Sequence, residues 1–292
     1  MDRLSLPSPS KVNLYLEVLG RRDDGYHEIR SIAVLTELCD TVILERRHSG
    51  VTVEAVDPRV PRGPENLCHR AASLLLEHCA VRGGVAIRIE KRIPIAGGMG
   101  GGSSNAAATL WGLNVMYGFG RSPEELMGLG GELGSDVPLF LSRGAAFMSG
   151  RGERVEQLPP ISPRWLVIAT PGMEISTASV YRRLRLPLTS EEPGIRMRAL
   201  LESGQEDAAL SCCFNRLEEV VLSAYPEVAA LKQRLSVGGA GPVLVSGSGP
   251  TVFGMVRGAE LARRLGSNLA ETGIRAVVCR TLETNPLLIS VQ

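Results

Sequence analysis

The sequence predicts an α+β protein, and three observations lead there. Apolar residues alternate with period two in some stretches and recur every three to four residues in others, the marks of half-buried strands and amphipathic helices. The two kinds of stretch are mixed without a strict strand–helix–strand alternation, which disfavours a purely parallel sheet. Hydrophobic residues are 44% of the 292 and charged residues 22%, enough apolar content to bury a core and to exclude disorder as the main state. The 32 Lys and Arg nearly balance the 31 Asp and Glu. A net charge of +1 makes too weak a field for a general nucleic-acid binder. The length fits one large domain or two smaller ones.

Along the chain, residues 10–19 place Val12, Leu14, Leu16 and Val18 on one face and read as a strand, followed by a turn-rich loop at 20–27. Ile29–Val34 and Thr41–Leu44 are further strand pieces, and Val51–Val56 is another before a Pro/Arg/Gly loop at 57–64. Leu67, Ala71, Leu74, Leu75 and Cys79 mark a helical face between Glu65 and Ala80. Val85, Ile87 and Ile89 alternate as a strand that runs into a glycine-rich segment and then an Ala-rich helix from about Ser103 to Met116. Residues 123–133 read as a helix with Ser122 as N-cap and Pro123 in the first turn, and 145–158 as a short hairpin. Pro159, Pro160 and Pro163 punctuate the chain, so the domain boundary is set there, dividing 1–158 from 159–292. Beyond it lie strands at Trp165–Ala169, Val243–Val245, Val252–Val256 and Ala276–Arg280. Helices are expected around 176–184, 195–203, 207–235 and 258–271.

No window approaches about 18 uncharged apolar residues, so no membrane-spanning helix is expected. The first twenty residues lack the apolar core of a secretory signal, and a cytoplasmic protein is expected. The cysteines at 39, 68, 79, 212, 213 and 279 form no C-x-x-C pair and have no zinc-ligand spacing; free thiols are the expectation. His48, His69 and His78 likewise belong to no metal-ligand pattern.

The glycines are concentrated. Positions 97–102 hold five, interrupted only by Met99, between a strand and a helix. Glycine lets the backbone approach a ligand without a Cβ clash, and the first N–H groups of the following helix are unpaired at the positive end of its dipole. Pro94, Gly97, Gly98, Gly100, Gly101 and Gly102 therefore outline an anion site suited to phosphates. Ser103 and Ser104 add hydroxyls for phosphate or for a bound Mg²⁺. A plain glycine turn with a serine cap is the alternative, but five glycines exceed what capping requires. No Lys follows them as a P-loop requires, and no literal G-x-G-x-x-G is present.

The pattern Pro-x-x-x-Gly-x-Gly-x-x-Ser-Ser-x-Ala, from Pro94 to Ala106, is similar to the phosphate loop of the GHMP kinases. Two more segments resemble that family: Ser8-Pro-Ser-Lys-Val-Asn-Leu-Tyr-Leu near the start and Val245-Ser-Gly-Ser-Gly-Pro-Thr-Val-Phe near the end. Gly20-Arg-Arg-Asp-Asp-Gly-Tyr-His and Gly134-Ser-Asp-Val-Pro resemble one branch more closely, whose members move the γ-phosphate of ATP to the 2-hydroxyl of a cytidine diphosphate-linked methylerythritol in the non-mevalonate route to isoprenoid precursors. The resemblance implies a two-domain α+β kinase with its active site in the cleft between domains. It implies ATP and Mg²⁺ as cofactors, a small-molecule acceptor, and no nucleic-acid or membrane partner. The alternatives are another small-molecule kinase of the family, of mevalonate or homoserine type, or a non-catalytic nucleotide-binding protein on the same fold. The family's Asn-Asp-Leu-Glu is here Asn215-Arg216-Leu-Glu, a reversed charge.

Specific residues follow. Asp136 fits a catalytic carboxylate that takes the acceptor hydroxyl's proton; it equally fits an N-cap, and the resemblance decides for catalysis. Lys11, in an otherwise apolar strand, is the family's lysine and would hold Asp136 ionised and offset charge on the transferred group; a solvated edge lysine is the plainer alternative. Asn13, two residues on, shares its face. The resemblance assigns Tyr26 and His27 to the cytidine, by stacking and by hydrogen bonding, and Tyr181 to the opposite stacking face. It brings Gly247, Ser248 and Gly249 close to the substrate, and Asn66 to the adenine.

Overall fold

The computed structural model describes residues 1–185 and 192–289. The chain opens with two long antiparallel strands, β1 (Arg3–Arg21) and β2 (His27–Arg47), joined by the turn at 22–26. Then follow β3 (Gly50–Ala55), α1 (Leu67–His78), β4 (Gly84–Glu90), α2 (Gly101–Tyr117), α3 (Pro123–Leu133), a 3₁₀ turn at Pro138–Leu141, and the hairpin β5 (Ala146–Ser149) and β6 (Arg154–Gln157). The second half comprises β7 (Trp165–Thr170), α4 (Thr177–Arg183), α5 (Glu192–Glu202), α6 (Glu206–Leu210), β8 (Phe214–Asn215), α7 (Glu218–Ala224), α8 (Pro226–Val237), β9 (Val243–Val245), β10 (Val252–Val256), α9 (Ala259–Ala270), β11 (Arg275–Arg280) and α10 (Pro286–Ile289). The α+β expectation therefore holds.

Two sheets result. The first runs β3-β4-β2-β1-β8, with β5 also pairing β2 and β6 pairing β5. The second runs β11-β7-β10-β9. The first strand expected at 10–19 begins seven residues earlier, at Arg3, and the two pieces expected between 29 and 44 are one strand. Pro7 and Pro9 had masked this extension. They are tolerated because, over this half, β1 pairs with β2 on one side and meets β8 only at Tyr15–Leu16, leaving an edge that needs no N–H donor. The helix expected over 207–235 is broken into α6, α7 and α8, with β8 between the first two. Asn215 is drawn into the first sheet, and Pro226 restarts the chain as α8. Ser122 caps α3 in a reciprocal capping box with Glu125, as its position implied.

Packing sets three cores. Helices α1, α2 and α3 cover one face of the first sheet over Leu6, Leu44 and Ile87, with Leu75 of α1 in the same core. α2 is buried around most of its circumference, which is why it is Ala-rich rather than amphipathic. In the second core Val12, Leu14 and Ile32 of the first sheet meet Leu166, Ile168 and Phe253 of the second. On the second sheet's other face, Val167, Ala169 and Val252 lie under α8 and α9 through Leu231, Leu235 and Leu265. β1 contributes to all three: Leu4 and Leu6 to the first, Val12 and Leu14 to the second, Leu16 and Val18 to the third. Its register shifts at Pro9/Ser10, Asn13/Tyr15 and Val18/Gly20 give the bend and twist this requires. The middle of β1 thus runs beside the junction of the two sheets.

Candidate active site

Lys11 lies at that junction, 4% exposed, paired with β2 at Leu35 and covered on its other side by the glycine loop. It is not a solvated edge lysine. Its ammonium donates to Asn13 Oδ1 at 2.7 Å and lies 3.6 Å from Asp136 Oδ2. Asn13 in turn donates to Ser31 Oγ at 2.8 Å, and Ser31 donates to the Tyr15 carbonyl at 2.7 Å. This chain fixes the amide of Asn13 so that its oxygen faces the ammonium. Asp136 caps no helix: α3 ends at Leu133, and the following 3₁₀ turn has Val137 at its N-cap position. Its side chain stays 36% exposed, open to a ligand on one side and ion-paired on the other.

The glycine loop passes directly behind Lys11, whose backbone N–H donates to the Met99 carbonyl at 3.1 Å. Met99 is the one side chain in the glycine run, and it is buried in the core between the two sheets, anchoring the loop there. Gly98 and Gly100 have φ of +73° and +71°, values that favour glycine. A Cβ on Gly98 would run into the Ser246 carbonyl, and one on Gly100 would lie 2.7 Å from Phe140 Cζ. α2 starts at Gly101 with Gly100 as its N-cap, two residues before the expected Ser103, and no side chain caps it. Its first-turn N–H groups are therefore left to a ligand, an arrangement that holds anions.

Two cavities meet at this loop. One, of about 350 Å³, is lined by Pro94, Gly97, Gly98, Gly100, Gly101, Gly102 and Ser103. Asn66, Arg59 and Lys91 close its other side. Asn66 sits there as the cap of α1, accepting from Cys68 N–H at 2.8 Å and donating to the Pro61 carbonyl at 2.6 Å. Ser104 is a correction: it is fully buried, its Oγ bonded to Ser8 Oγ at 2.7 Å, so it faces away from both cavities. Ser103 lines both.

The other cavity, of about 920 Å³, contains Lys11, Asn13 and Asp136, and also Tyr26, His27 and Tyr181. The rings of His27 and Tyr181 pack at 4.9 Å and 33°. Tyr181 thus meets His27, while the Arg151 guanidinium lies 5.2 Å from the centre of the Tyr26 ring. Burial, and secondarily the charge of Arg21, lowers the His27 pKa, favouring the neutral imidazole. Burial first, and then the Asp136 carboxylate, raises the Tyr181 phenol and keeps it protonated. Gly247 and Ser248 line the same cavity, and Ser248 Oγ bonds Thr177 Oγ1 at 2.8 Å. Gly249 turns instead toward Val245, Val221 and Ile175 and shapes the turn behind it. The two glycine loops touch, with Ser246 Oγ donating to the Gly98 carbonyl at 3.0 Å.

Several contributors were invisible as single letters. Arg21, Arg151 and Arg182 line the larger cavity, so among the described residues it has, with Lys11, four cationic side chains against the one carboxylate of Asp136. Asn215 donates to the Val245 and Gly247 carbonyls at 2.9 and 2.8 Å and so holds the C-terminal glycine loop. Arg216, the reversed charge, pairs with Glu219 and donates to the Arg185 carbonyl at 3.1 Å, lining neither cavity. The six cysteines are free, and among the described residues no group of three or more His, Cys, Asp or Glu could hold a metal ion. No helix of the described residues is long and apolar enough to cross a membrane.

Comparison with known proteins gives a consistent result. The model of the GHMP kinases N terminal domain matches residues 66–144, and that of the GHMP kinases C terminal matches 197–275. The chain is 42% identical over 287 residues to the 4-diphosphocytidyl-2-C-methyl-D-erythritol kinase of Moorella thermoacetica, covering 97% of this chain and 100% of that one. It is 43% identical over 270 residues to the enzyme of the same name from Shouchella clausii, covering 91% and 90%. A crystal structure of 4-(cytidine 5'-diphospho)-2C-methyl-D-erythritol kinase superposes with a TM-score of 0.81 at 37% identity over 95% of this chain and 99% of that one. Homoserine kinase from Cytophaga hutchinsonii shares the fold, with a TM-score of 0.77 at 18% identity over 98% and 96%.

Because a side chain at position 98 would strike the Ser246 carbonyl, Gly98→Ala is expected to push the two glycine loops apart. ADP affinity, measured calorimetrically, should fall on the order of tenfold, the loss of about 1.4 kcal/mol. Unchanged affinity would show that the apposition of the loops is unimportant to the smaller cavity.

Proposed function

The chain belongs to the GHMP kinases, within the 4-diphosphocytidyl-2-C-methyl-D-erythritol kinases, and from that premise we infer how its two cavities divide the reaction. The protein is an ATP-dependent kinase that phosphorylates the 2-hydroxyl of 4-diphosphocytidyl-2-C-methyl-D-erythritol, a step of isoprenoid precursor biosynthesis. The single observation that carries the site assignment is the wall the two cavities share at Gly98, Gly100 and Ser103, directly beside the Lys11–Asp136 pair.

The nucleotide occupies the smaller cavity, with its phosphates on the loop 97–103 and the uncapped start of α2, and Asn66 toward the base. The acceptor occupies the larger one. Its cytosine lies among Tyr26, His27 and Tyr181, where a neutral imidazole can both donate and accept at the base's polar edge. Its diphosphate is matched by the surplus of arginines. The 2-hydroxyl then reaches Asp136. Its oxygen forms a bond to the γ-phosphorus as the bond from phosphorus to the β-bridging oxygen breaks. The proton passes to the Asp136 carboxylate, and ADP departs. The Lys11 ammonium, held by Asn13 and paired with Asp136, offsets charge on the transferred group.

Mg²⁺ fits the donor set, since the Ser103 hydroxyl and Asp136 carboxylate are hard oxygen ligands on the cavity that also takes the phosphates. Held there by Ser103 and Asp136, it would supply charge neutralisation for the phosphates. The division into domains at 1–158 and 159–292, with the active site in the cleft, is supported by the change from first to second sheet between Gln157 and Trp165, although β8 of the second half returns to the first sheet.

An ADP-release assay with Mg-ATP tests this reading. Turnover is expected with the cytidylyl acceptor and not with mevalonate or homoserine; turnover with either of those alone would discard the cytidine assignment. Asp136→Asn should lower kcat by about 10²–10⁴-fold in a variant whose circular dichroism remains that of the folded protein. Near-normal turnover in that folded variant would remove Asp136 from the chemistry. The lowered His27 pKa means that protonation sets in only below the ordinary 6.5. Accordingly kcat/KM for the acceptor should stay level from neutral pH down to that value and fall below it, and His27→Gln should remove the fall.

A further inference from the structure

Asp40 has no place in the chemistry above, yet it is the most heavily bonded carboxylate near the site. It sits on β2, fully buried, and lines neither cavity. Its Oδ1 accepts the backbone N–H groups of Arg92 and Ile93 at 2.7 and 2.9 Å. Its Oδ2 accepts Asn105 Nδ2 at 3.0 Å and the Lys91 ammonium. Arg92 and Ile93 immediately precede Pro94, where the glycine loop begins, and Asn105 immediately follows Ser104, where it ends. One carboxylate therefore ties together the entry and the exit of the loop. Asn105 extends the tie, donating to Ser8 Oγ at 2.8 Å and accepting from Lys91 at 3.2 Å. Lys91 lines the smaller cavity close to Gly101, where an added Cβ would lie 3.1 Å from its Nζ.

We propose that Asp40 is a positioning residue for the nucleotide: it clasps the neck of the loop 94–104 and holds the Lys91 ammonium at the cavity wall, without touching the ligand. The proposal rests on the reading that this loop carries the nucleotide phosphates. Closing the neck in advance removes loop-ordering entropy that binding would otherwise have to overcome. It also keeps a buried cation neutralised beside a loop whose N–H groups must stay free for phosphate. An ordinary fold-stabilising ion pair would affect both cavities alike, whereas a clasp acts on one.

The test compares ADP, with Mg²⁺, and CDP binding to wild-type protein and Asp40→Asn by calorimetry, with circular dichroism and melting temperature to establish folding. Asparagine keeps the shape but turns an N–H₂ toward Lys91 and Asn105, which are already donors. The ADP Kd should rise on the order of tenfold or more, as expected for hydrogen bonds to a charged group. The CDP Kd should change by less than about twofold, within the scatter of such measurements. KM for ATP should rise with KM for the acceptor unchanged. An unchanged ADP Kd in the folded variant, or equal losses for ADP and CDP, would overturn the proposal. Should Asp40→Asn fail to fold, Asn105→Ala removes one arm of the clasp while keeping the ion pair. It should raise the ADP Kd by roughly threefold or more and spare CDP, in line with one hydrogen bond; no change in ADP Kd there would equally overturn it. Failure of CDP to bind the wild-type protein would count against the cytidine assignment alone, and failure of ADP to bind it against the nucleotide assignment of the loop.

Discussion

The site is organised by one buried ammonium. Lys11 is attached to β1, the strand that enters all three cores, so its position is set by the packing of the whole molecule. From there its backbone holds the glycine loop at Met99 and its side chain reaches Asn13 and Asp136. A buried lysine without partners would lose its charge or unfold its surroundings. The surrounding groups meet that requirement in a way that also suits phosphoryl transfer. The carboxylate that neutralises the lysine is left partly open, and the amide that accepts from it is itself held by Ser31. The first and second sheets meet where this arrangement is needed, and the second sheet supplies the loop at 246–249 that presses against Gly98.

Electrostatics divides the labour between the two cavities. The smaller one offers free helix N–H groups and a glycine backbone without Cβ atoms in the way, which suit a phosphate chain. The larger one offers aromatic faces at one end and an excess of cations around them. That excess would repel a cationic acceptor and is complementary to a diphosphate. Arg151 has a second task, since it lies over the Tyr26 ring and also donates to the Gly131 carbonyl at 2.7 Å, so it steadies an otherwise exposed aromatic residue.

Much of this was legible in the sequence because it depends on local rules. The period-two spacing of Lys11 and Asn13 put them on one face, and they bond each other. The glycine run between a strand and a helix announced an anion site, but its start at Gly101 with no side-chain cap came from the structure. Asp136 was identified by its motif, not by its chemistry, which allowed a cap equally well. The parts that could not be read are those decided by tertiary pairing. The prolines at 7 and 9 look like breaks, and only the missing strand partner beside them lets β1 continue. Residues 207–235 carry a helical pattern, and its interruption at Asn215 comes from two carbonyls thirty residues away in the chain. Ser103 and Ser104 are indistinguishable as letters, but one helical step of 100° points the second into the protein. Asp40 lies more than fifty residues from the loop it fastens, and nothing near it in the sequence announces a site.

In the proposed reaction the phosphoryl group passes directly between two adjoining cavities, in line, at the Lys11–Asp136 pair. The stereochemical course at phosphorus tests it most directly, using ATP made chiral at the γ-phosphate with oxygen isotopes. A single in-line transfer inverts the configuration, and inversion is the result predicted. Retention would mean two successive displacements through a phosphorylated side chain, and would contradict the direct passage from one cavity to the other.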